Sequence, residues 1–355
     1  AGEGLRAGKV REMVGHVEGV CARGGVLDVG ATAFTTLLNL TSCSLFSAEF
    51  GGYGTAASRR HEEAVIAAVE CLGRPNVGDF FPVLRGLDLQ GVRRGAEECL
   101  GKLMGMIDGI MEERMEARRN PAGRRNDLLE ALLDANQRRE EASDSLSIDE
   151  IRHLLLDLFI AGTDTTRTAV EWAMAHLLRE PEKLARAQSE IRRAVGTDAG
   201  RIQEADLGRF PYLAAVFKET LRLHPPGPVL VRRTSGVDVE VCGFHVPGGS
   251  RIMVNAWAIG RDEGEWREAE AFEPERFLGG GGADYRGRDL EFIPFGAGRR
   301  LCPGMPVAQR MGCLMVAALV GGFDWKAERE EIDMEDRHAI SVQRARPLKA
   351  IPVKA

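Results

Sequence analysis

The sequence predicts a mainly α fold with a minor β region. Residues 1–145 show one helical pattern after another, and long helical segments continue through residues 147–224. Two consecutive prolines then end the helical periodicity, and short stretches of alternating apolar and polar residues follow. Long helices followed by a few scattered strands indicate a helical protein with a small, discontinuous sheet.

The first half is expected to consist of apolar and amphipathic helices. Apolar residues fill 31–46, 58–72 is amphipathic, and 92–119 is a long helix with a Glu/Arg-rich face. An Asn-Pro-Ala-Gly-Arg-Arg run at 120–125 breaks this helix. The loop-rich connector 73–91 carries an apolar tip at Phe80, Phe81, Val83 and Leu84.

Proline and capping signals delimit the next three helices. Ser147 and Glu150 form a capping box that begins a helix ending at 178. Prolines begin the helices predicted over 181–195 and 211–224, and the second of these ends where two prolines forbid its continuation.

Short strands are predicted after residue 226. Residues 237–241 alternate like a strand, 243–249 form a turn, and 251–255 are apolar again. The glycine run 279–282 is expected to be a surface loop. Residues 338–353 read as two short strands joined near a proline.

Composition and charge exclude several classes of function. A net charge of −6 provides no basic surface for nucleic acid, so no nucleic-acid partner is expected. Seven dispersed cysteines without a Cys-x-x-Cys pair argue against a disulfide scaffold or a zinc site and indicate a reducing compartment. The longest apolar stretch, 311–323, is shorter than the about 20 residues of a membrane span, which predicts a core helix.

One loop places a single thiol immediately before an apolar helix: Phe295-Gly-Ala-Gly-Arg-Arg-Leu-Cys-Pro-Gly304. Pro303 suits the first helical position, so Cys302 would lie at the positive end of the helix dipole, which favours a thiolate. A thiolate can serve as the axial ligand of haem iron. Two other interpretations are a dinucleotide-binding loop, whose third glycine would fall at Leu301, and a nucleophilic cysteine.

A second unusual segment is Ala161-Gly-Thr-Asp-Thr-Thr166 in the middle of a predicted helix. Gly and Thr are poor helix formers, and such a local conflict is typical of functional sites. Gly would let a large flat group approach the backbone, and Thr and Asp can bond to helix carbonyls or to water. The alternative is a helix kink that packs against its neighbours.

Together these segments resemble the cytochrome P-450 family. Phe295, Gly298, Arg300, Cys302 and Gly304 match its haem-ligand signature Phe-x-x-Gly-x-Arg-x-Cys-x-Gly. The 161–165 segment matches its oxygen-binding helix. A Glu-x-x-Arg pair and a Pro-Glu-Arg-Phe segment follow in the family's order, and they contain Glu219, Arg222 and Arg276.

The amino-acid sequences of the motifs are similar to those of the plant branch of this family. Val170-Glu-Trp-Ala-Met174 and the 254–262 segment resemble the geraniol-type terpenoid hydroxylases within that branch. The resemblance covers the whole chain, 1–355, as a single catalytic domain. It is helix-rich over 1–225 and mixed β and loop over 226–300, with the haem-loop helix and C-terminal strands over 301–355.

The resemblance implies a role for each motif residue. Cys302 would ligate the iron of haem b, and Asp164 and Thr165 would form the acid–alcohol pair that delivers protons for cleavage of the O–O bond. Ala161 and Gly162 would leave room for oxygen. Arg300 and Arg233 would bind the haem propionates, although Arg232 stands where the family usually has Pro; a surface position is the alternative for both arginines. His224 is not expected to ligate iron.

Other residues would support the site. Glu219, Arg222 and Arg276 would form a buried charge network under the haem loop, needed for folding and haem retention. The substrate pocket would be lined by Phe159, Val229, Leu230 and Ile340.

The implied function is that of a haem-thiolate monooxygenase. It would hydroxylate a small lipophilic substrate, terpenoid-like in preference to phenolic or flavonoid, with O2 and with electrons from NADPH through NADPH–cytochrome P-450 reductase. The implied location is the cytosolic face of the endoplasmic reticulum membrane.

The sequence departs from the family at its start. It begins with Ala in the middle of a helical pattern, and the family's membrane anchor, proline-rich hinge and first helices are not visible. We therefore expect the native N-terminus to be missing and membrane association only in a full-length form. Two further hypotheses are a truncated, haem-poor product without catalysis and a family member that isomerises or dehydrates its substrate. The Asp164–Thr165 pair argues against the last.

Overall fold

The computed structural model describes residues 2–120, 124–138, 146–233, 236–279, 282–329, 331–338 and 340–355. Its helices are α1 Glu3–Ala22, α2 Val29–Phe46, α3 Ala56–Gly73, α4 Val77–Phe80, α5 Val92–Ala117, α6 Leu128–Arg138, α7 Ile148–Arg179, α8 Pro181–Val195, α9 Pro211–Leu223, α10 Ala256–Ile259 and α11 Met305–Gly322. The predicted long helices are thereby confirmed.

The central element is α7, which is 32 residues long. Its N-terminus is a capping box, in which the Glu150 amide donates to Ser147 Oγ and the Ser147 amide donates to the Glu150 carboxylate. Helices α2, α5, α9 and α11 all pack against it. The N-terminal half of α7 contributes side chains to one hydrophobic cluster and its C-terminal half to another, so the helix connects the two clusters.

In the described residues, the strands form four small antiparallel sheets. Their bounds are β1 Leu27–Asp28, β2 Val229–Arg233, β3 Val239–Val241, β4 Phe244–Val246, β5 Arg251–Asn255, β6 Phe323–Ala327, β7 Asp336–His338, β8 Val342–Arg344 and β9 Lys349–Lys354. The order β1-β9-β6 makes one sheet, and β2-β5, β3-β4 and β7-β8 are pairs. The minor β region is therefore confirmed as discontinuous.

Some boundaries differ from the sequence prediction. The two predicted C-terminal strands are confirmed as β8 and β9, joined near Pro347, although β9 belongs to a different sheet from the β7–β8 hairpin. Strand β1 is too short to show an alternating pattern. The connector 73–91 contains α4 and a 3₁₀ helix, Pro82–Leu87, and Phe80, Phe81 and Val83 on it are exposed.

Two helices, α2 and α11, have the length and apolar composition of a membrane span. Most of each helix is buried inside the protein, where their side chains belong to the hydrophobic clusters. Both therefore act as core helices here, as the sequence predicts for 311–323.

Candidate active site

The cysteine loop turns through two glycines. Gly296 and Gly298 have φ of 78° and 68°, a left-handed conformation that glycine adopts without strain. The Cys302 amide donates to the Phe295 carbonyl at 3.0 Å. The loop is therefore closed by its own backbone, and it leaves Arg300 and Cys302 exposed.

The Cys302 thiol lies beside the first turn of α11. Its sulfur is 3.7 Å from where a Cβ on Gly304, the N-cap residue, would stand. The prediction that Pro303 is the first helical residue is wrong, because Pro303 lies in a turn and α11 begins at Met305, with Pro306 in its first turn. The thiol still lies at the N-terminal end of the helix, where the dipole favours an anion.

Cys302 differs from Cys313, the cysteine within α11. Cys313 is buried, and burial raises the pKa of its thiol to about 12. A metal-binding thiol must lose its proton, so Cys313 is unsuited to that role. Cys242 is exposed, but it lies in the turn between β3 and β4.

The remaining loop residues have distinct surroundings. Phe295 is half-buried and meets Tyr285 edge-on, with ring centroids 5.5 Å apart. Arg233 ends β2 opposite Arg251, and its side chain lies outside the described part of the structure.

The Ala161–Thr166 segment is part of an unbroken α7. Thr165 Oγ1 donates to the Ala161 carbonyl at 2.8 Å, and Thr163 and Thr168 bond in the same way to carbonyls four residues earlier. A Cβ on Gly162 would stand 3.1 Å from Thr41 Oγ1 on α2. Gly162 therefore allows close packing of α2, whereas Ala161 is exposed.

Asp164 is buried and bonded to the C-terminal hairpin. Ser341 Oγ donates to its Oδ2 and Gln343 Nε2 to its Oδ1, each at 2.8 Å. Arg167 Nη1 lies 3.5 Å from the same Oδ1. The acid of the predicted acid–alcohol pair is thus oriented by residues far away in sequence.

The predicted pocket residues do not all share one surface. Val229 and Ile340 are exposed, and Leu230 is half-buried. The Val342 amide donates to the Pro226 carbonyl at 3.1 Å, which joins the hairpin to the segment before β2. Phe159 instead lies fully buried in the core, 5.7 Å from the Phe50 ring centroid. Phe159 precedes the exposed Ala161 by two residues, and two residues turn an α-helix by about 200°, so the two side chains lie on different sides of α7.

Glu219, Arg222 and Arg276 lie together at the C-terminal half of α9. Arg222 makes two hydrogen bonds of 2.7 Å to the Glu219 carboxylate, and Arg276 Nε lies 3.3 Å from Glu219 Oε1. The Arg222 guanidinium also lies over the Trp266 ring. Trp266 belongs to the aromatic cluster against which Phe295 packs, so the network adjoins the cysteine loop.

His224 does not lie at the cysteine loop. Its Nε2 lies 2.9 Å from His176 Nε2, and its ring stacks on Trp172 at 3.7 Å. Both histidines are buried, and burial lowers the pKa of each. A neutral, stacked pair fits a structural role.

A sequence model described as Cytochrome P450 matches residues 3–351. The chain belongs to the cytochrome P450 family. A solved zebrafish cytochrome P450 with progesterone shares the fold, with a TM-score of 0.81 at 24% identity over 99% of this chain and 76% of that one. The predicted family and fold are confirmed.

Several curated relatives of this P450 are plant enzymes. Ferruginol synthase of Isodon rubescens is 42% identical over 100% of this chain and 72% of its own length. Geraniol 8-hydroxylase of Catharanthus roseus is 43% identical over 99% and 71%, and drimenol monooxygenase of Persicaria hydropiper is 42% identical over 99% and 70%. This P450 is therefore an oxidoreductase of the monooxygenase class, with terpenoid hydroxylases among its relatives.

Membership of the P450 family implies haem iron, a redox partner and a lipophilic substrate with O2. The cysteine loop fits haem: Cys302 is an exposed thiol at a helix N-terminus, and a Cβ at Gly298 would meet no atom within 4 Å. In the described part of the chain, no group of three or more His, Cys, Asp or Glu side chains could hold a metal ion. A single thiolate is the donor set that a haem would need from this chain.

The sequence interpretation missed Ser341, Gln343 and Arg167. Ser341 and Gln343 are two residues apart in or beside β8, so they share one face of the strand. That polar spacing is a weak signal, but nothing in the sequence shows that the face meets Asp164. Arg167 follows Asp164 at i,i+3 on α7, the spacing at which side chains meet.

Proposed function

We propose that this P450 is a haem-thiolate monooxygenase that hydroxylates a small, lipophilic, terpenoid-like substrate. The exposed Cys302 thiol at the N-terminus of α11 carries the proposal. The relatives named geraniol 8-hydroxylase, ferruginol synthase and drimenol monooxygenase support the terpenoid class. Exposed apolar side chains at Val229 and Ile340 suit an apolar substrate.

The chain's own residues would hold the cofactor and handle protons. Cys302 Sγ would ligate the haem iron, and Arg300 and Arg233 would bind the propionates. When bound, haem supplies the activation of O2, so that one oxygen atom enters the substrate and the other leaves as water after uptake of two electrons and two protons. Ala161 and Gly162 would leave room for oxygen beside α7, because neither carries a bulky side chain.

Proton delivery would depend on Asp164 and Thr165. The Thr165 hydroxyl donates a hydrogen bond to the Ala161 carbonyl in this structure. If this hydroxyl turned outward, it could donate to the reacting oxygen and be reprotonated through Asp164. The buried Asp164 carboxylate would then have to leave one of its present donors.

We further propose electron supply and location from the family resemblance. NADPH–cytochrome P450 reductase would deliver the electrons, and the protein would act at the cytosolic face of the endoplasmic reticulum membrane. The exposed apolar side chains of Phe80, Phe81 and Val83 are compatible with contact with a membrane surface.

The first test of the proposal is the spectrum of the chain expressed with haem, reduced and exposed to carbon monoxide. A strongly red-shifted Soret band is expected because a thiolate donates electron density to the iron. The Cys302→Ala variant should lose this band. Cys242→Ala, which removes the other exposed thiol, should keep it.

Turnover then tests the substrate class. With the reductase and NADPH, monoterpene and sesquiterpene alcohols should be hydroxylated at the expense of one NADPH per product. Oxidation of phenolic compounds alone would contradict the terpenoid class. A wild-type chain without the thiolate band would contradict the haem-thiolate proposal as a whole and favour the haem-poor product.

A further inference from the structure

The Asp164 carboxylate is enclosed by the hairpin formed by β7 and β8. Asp164 is 1% exposed, and Ser341 and Gln343 are 3% and 4% exposed. Ser341 Oγ donates to Oδ2 and Gln343 Nε2 to Oδ1, each at 2.8 Å, and Gln343 Nε2 lies 3.2 Å from Ser341 Oγ. Both carboxylate oxygens thus accept from the hairpin, whereas Thr165 Oγ1 donates to Ala161.

The orientation of the Gln343 amide is fixed from its other side. Arg337 Nη2 donates to Gln343 Oε1 at 2.8 Å, so the amide nitrogen points to Asp164. Arg337 is itself paired with Glu70 of α3, at 3.0 Å between Nη1 and Oε1. A hydrogen-bonded chain therefore runs from the protein surface at α3 to the buried acid.

The same hairpin carries an exposed apolar residue at its turn. Ile340 is 51% exposed and directly precedes Ser341. The hairpin is held at Val342, whose carbonyl accepts from Trp172 Nε1 of α7 and whose amide donates to Pro226, each at 3.1 Å. A molecule bound against Ile340 would therefore displace Ser341, whereas Val342 would stay in place.

We propose that Ser341 and Gln343 are positioning residues that set the orientation of Asp164 and couple it to contact at Ile340. Without contact at Ile340, they hold the carboxylate turned into the protein, away from Thr165. Contact at Ile340 weakens the Ser341 hydrogen bond and frees Oδ2 for the threonine. This inference rests on the proposed function, because it assumes that Asp164 and Thr165 deliver protons.

The test is a double-mutant cycle on the partition of electrons between hydroxylated product and hydrogen peroxide. Both outcomes consume one NADPH and one O2, and only hydroxylation also releases water. Ser341→Ala should raise the ratio of product to peroxide, because it frees Oδ2 for the threonine. The expected change is about tenfold, the equilibrium change when one hydrogen bond to a charged group is lost. Ser341→Thr, which keeps a hydroxyl, should restore the ratio.

The cycle is completed with Asp164→Asn. If Ser341 acts through the carboxylate, Ser341→Ala should change nothing further in the Asp164→Asn background. Thr168→Val is the matched control: Thr168 is equally buried, but its hydroxyl bonds to the Asp164 backbone carbonyl and not to the carboxylate. It should lower stability without shifting the ratio.

A second readout does not depend on turnover. The unfolding equilibrium constant in denaturant should rise about tenfold on Ser341→Ala when Asp164 is present, and clearly less when position 164 is Ala. Additive effects in both measurements would overturn the inference. If Asp164→Asn shifts the product-to-peroxide ratio and Ser341→Ala does not, the inference fails and the proposed function stands; if Asp164→Asn has no effect, the acid role itself fails.

Discussion

At the residue scale, the buried Arg222 of α9 has a complete set of hydrogen bonds. Arg222 uses all five of its N–H donors: three carbonyls, those of Gly260, Ala269 and Ala271, accept beside the Glu219 carboxylate. Glu219 Oε1 also accepts from the Glu273 amide at 2.7 Å. The pair therefore joins α9 to the segment that precedes the cysteine loop.

Replacing Arg222 by Lys should destabilise the protein strongly. A lysine keeps the charge but has three donors in place of five, so buried carbonyls lose their donor at a cost of about 1–3 kcal/mol each. Denaturant unfolding measures the effect. Lys102→Met, which removes an exposed partner of Glu98, should cost less than about 1 kcal/mol, and an equal cost for both variants would show that the network contributes no more than a surface pair.

The buried histidine pair predicts acid sensitivity. Burial lowers the pKa of His176 to about 3 and that of His224 well below its ordinary value of 6.5. The unfolded chain therefore binds more protons than the folded protein below about pH 6.5, so stability falls as the pH falls. His176→Phe, which can stack on Phe272 as the imidazole does, should reduce this slope.

The measurement is the free energy of unfolding at pH 7, 6 and 5. The exposed His245, which is paired with Asp238 on the β3–β4 hairpin, provides the control variant His245→Gln. The same slope in wild type and His176→Phe would contradict the buried neutral pair.

At the element scale, the contact between α2 and α7 depends on small residues. Gly162 of α7 lies against Thr41 of α2, and Gly30 of α2 lies against the buried Glu171 of α7. Glu171 Oε1 accepts from the Leu348 amide at 2.8 Å, so its side chain cannot simply move aside. The two helices therefore come close at two contacts about three turns apart, each with a glycine on one side.

Gly30→Ala should destabilise this helix contact. A Cβ there would lie 2.8 Å from the Glu171 carboxylate, and such overpacking costs about 1–3 kcal/mol. Gly15→Ala on α1 is the matched control, because nothing lies within 4 Å of its Cβ position, and alanine in a helix is favoured over glycine by about 0.5–1 kcal/mol. Thermal unfolding should shift in opposite directions for the two variants; a shift of the same sign would contradict the packing argument.

The elements also show how far the sequence alone was informative. Capping residues and prolines located the starts of α7, α8 and α9 because these signals act within one helical turn. The contact of Asp164 with Ser341 and Gln343 spans more than 170 residues, and no local pattern encodes it. The buried position of Phe159 follows from helix geometry and could have been foreseen.

At the scale of the whole molecule, one long helix organises two hydrophobic clusters and the predicted site. Motif residues 161–165 lie between the parts of α7 that belong to the two clusters, and α11, which follows the cysteine loop, packs against α7. The order of the motifs predicted the fold through the resemblance to the P450 family, which the match over residues 3–351 confirms. The β1-β9 pairing was not predicted, since these two strands are distant along the chain.

The sheet β1-β9-β6 sets a sequence of events during synthesis. Among the described residues, Leu27 and Asp28 pair with Ala350 and Lys349, so β1 leaves the ribosome more than 300 residues before its partner strand. Strand β6 also depends on β9 for its partner. While the nascent chain is being translated, the helices can collapse around α7, but this edge of the protein stays open until β9 emerges.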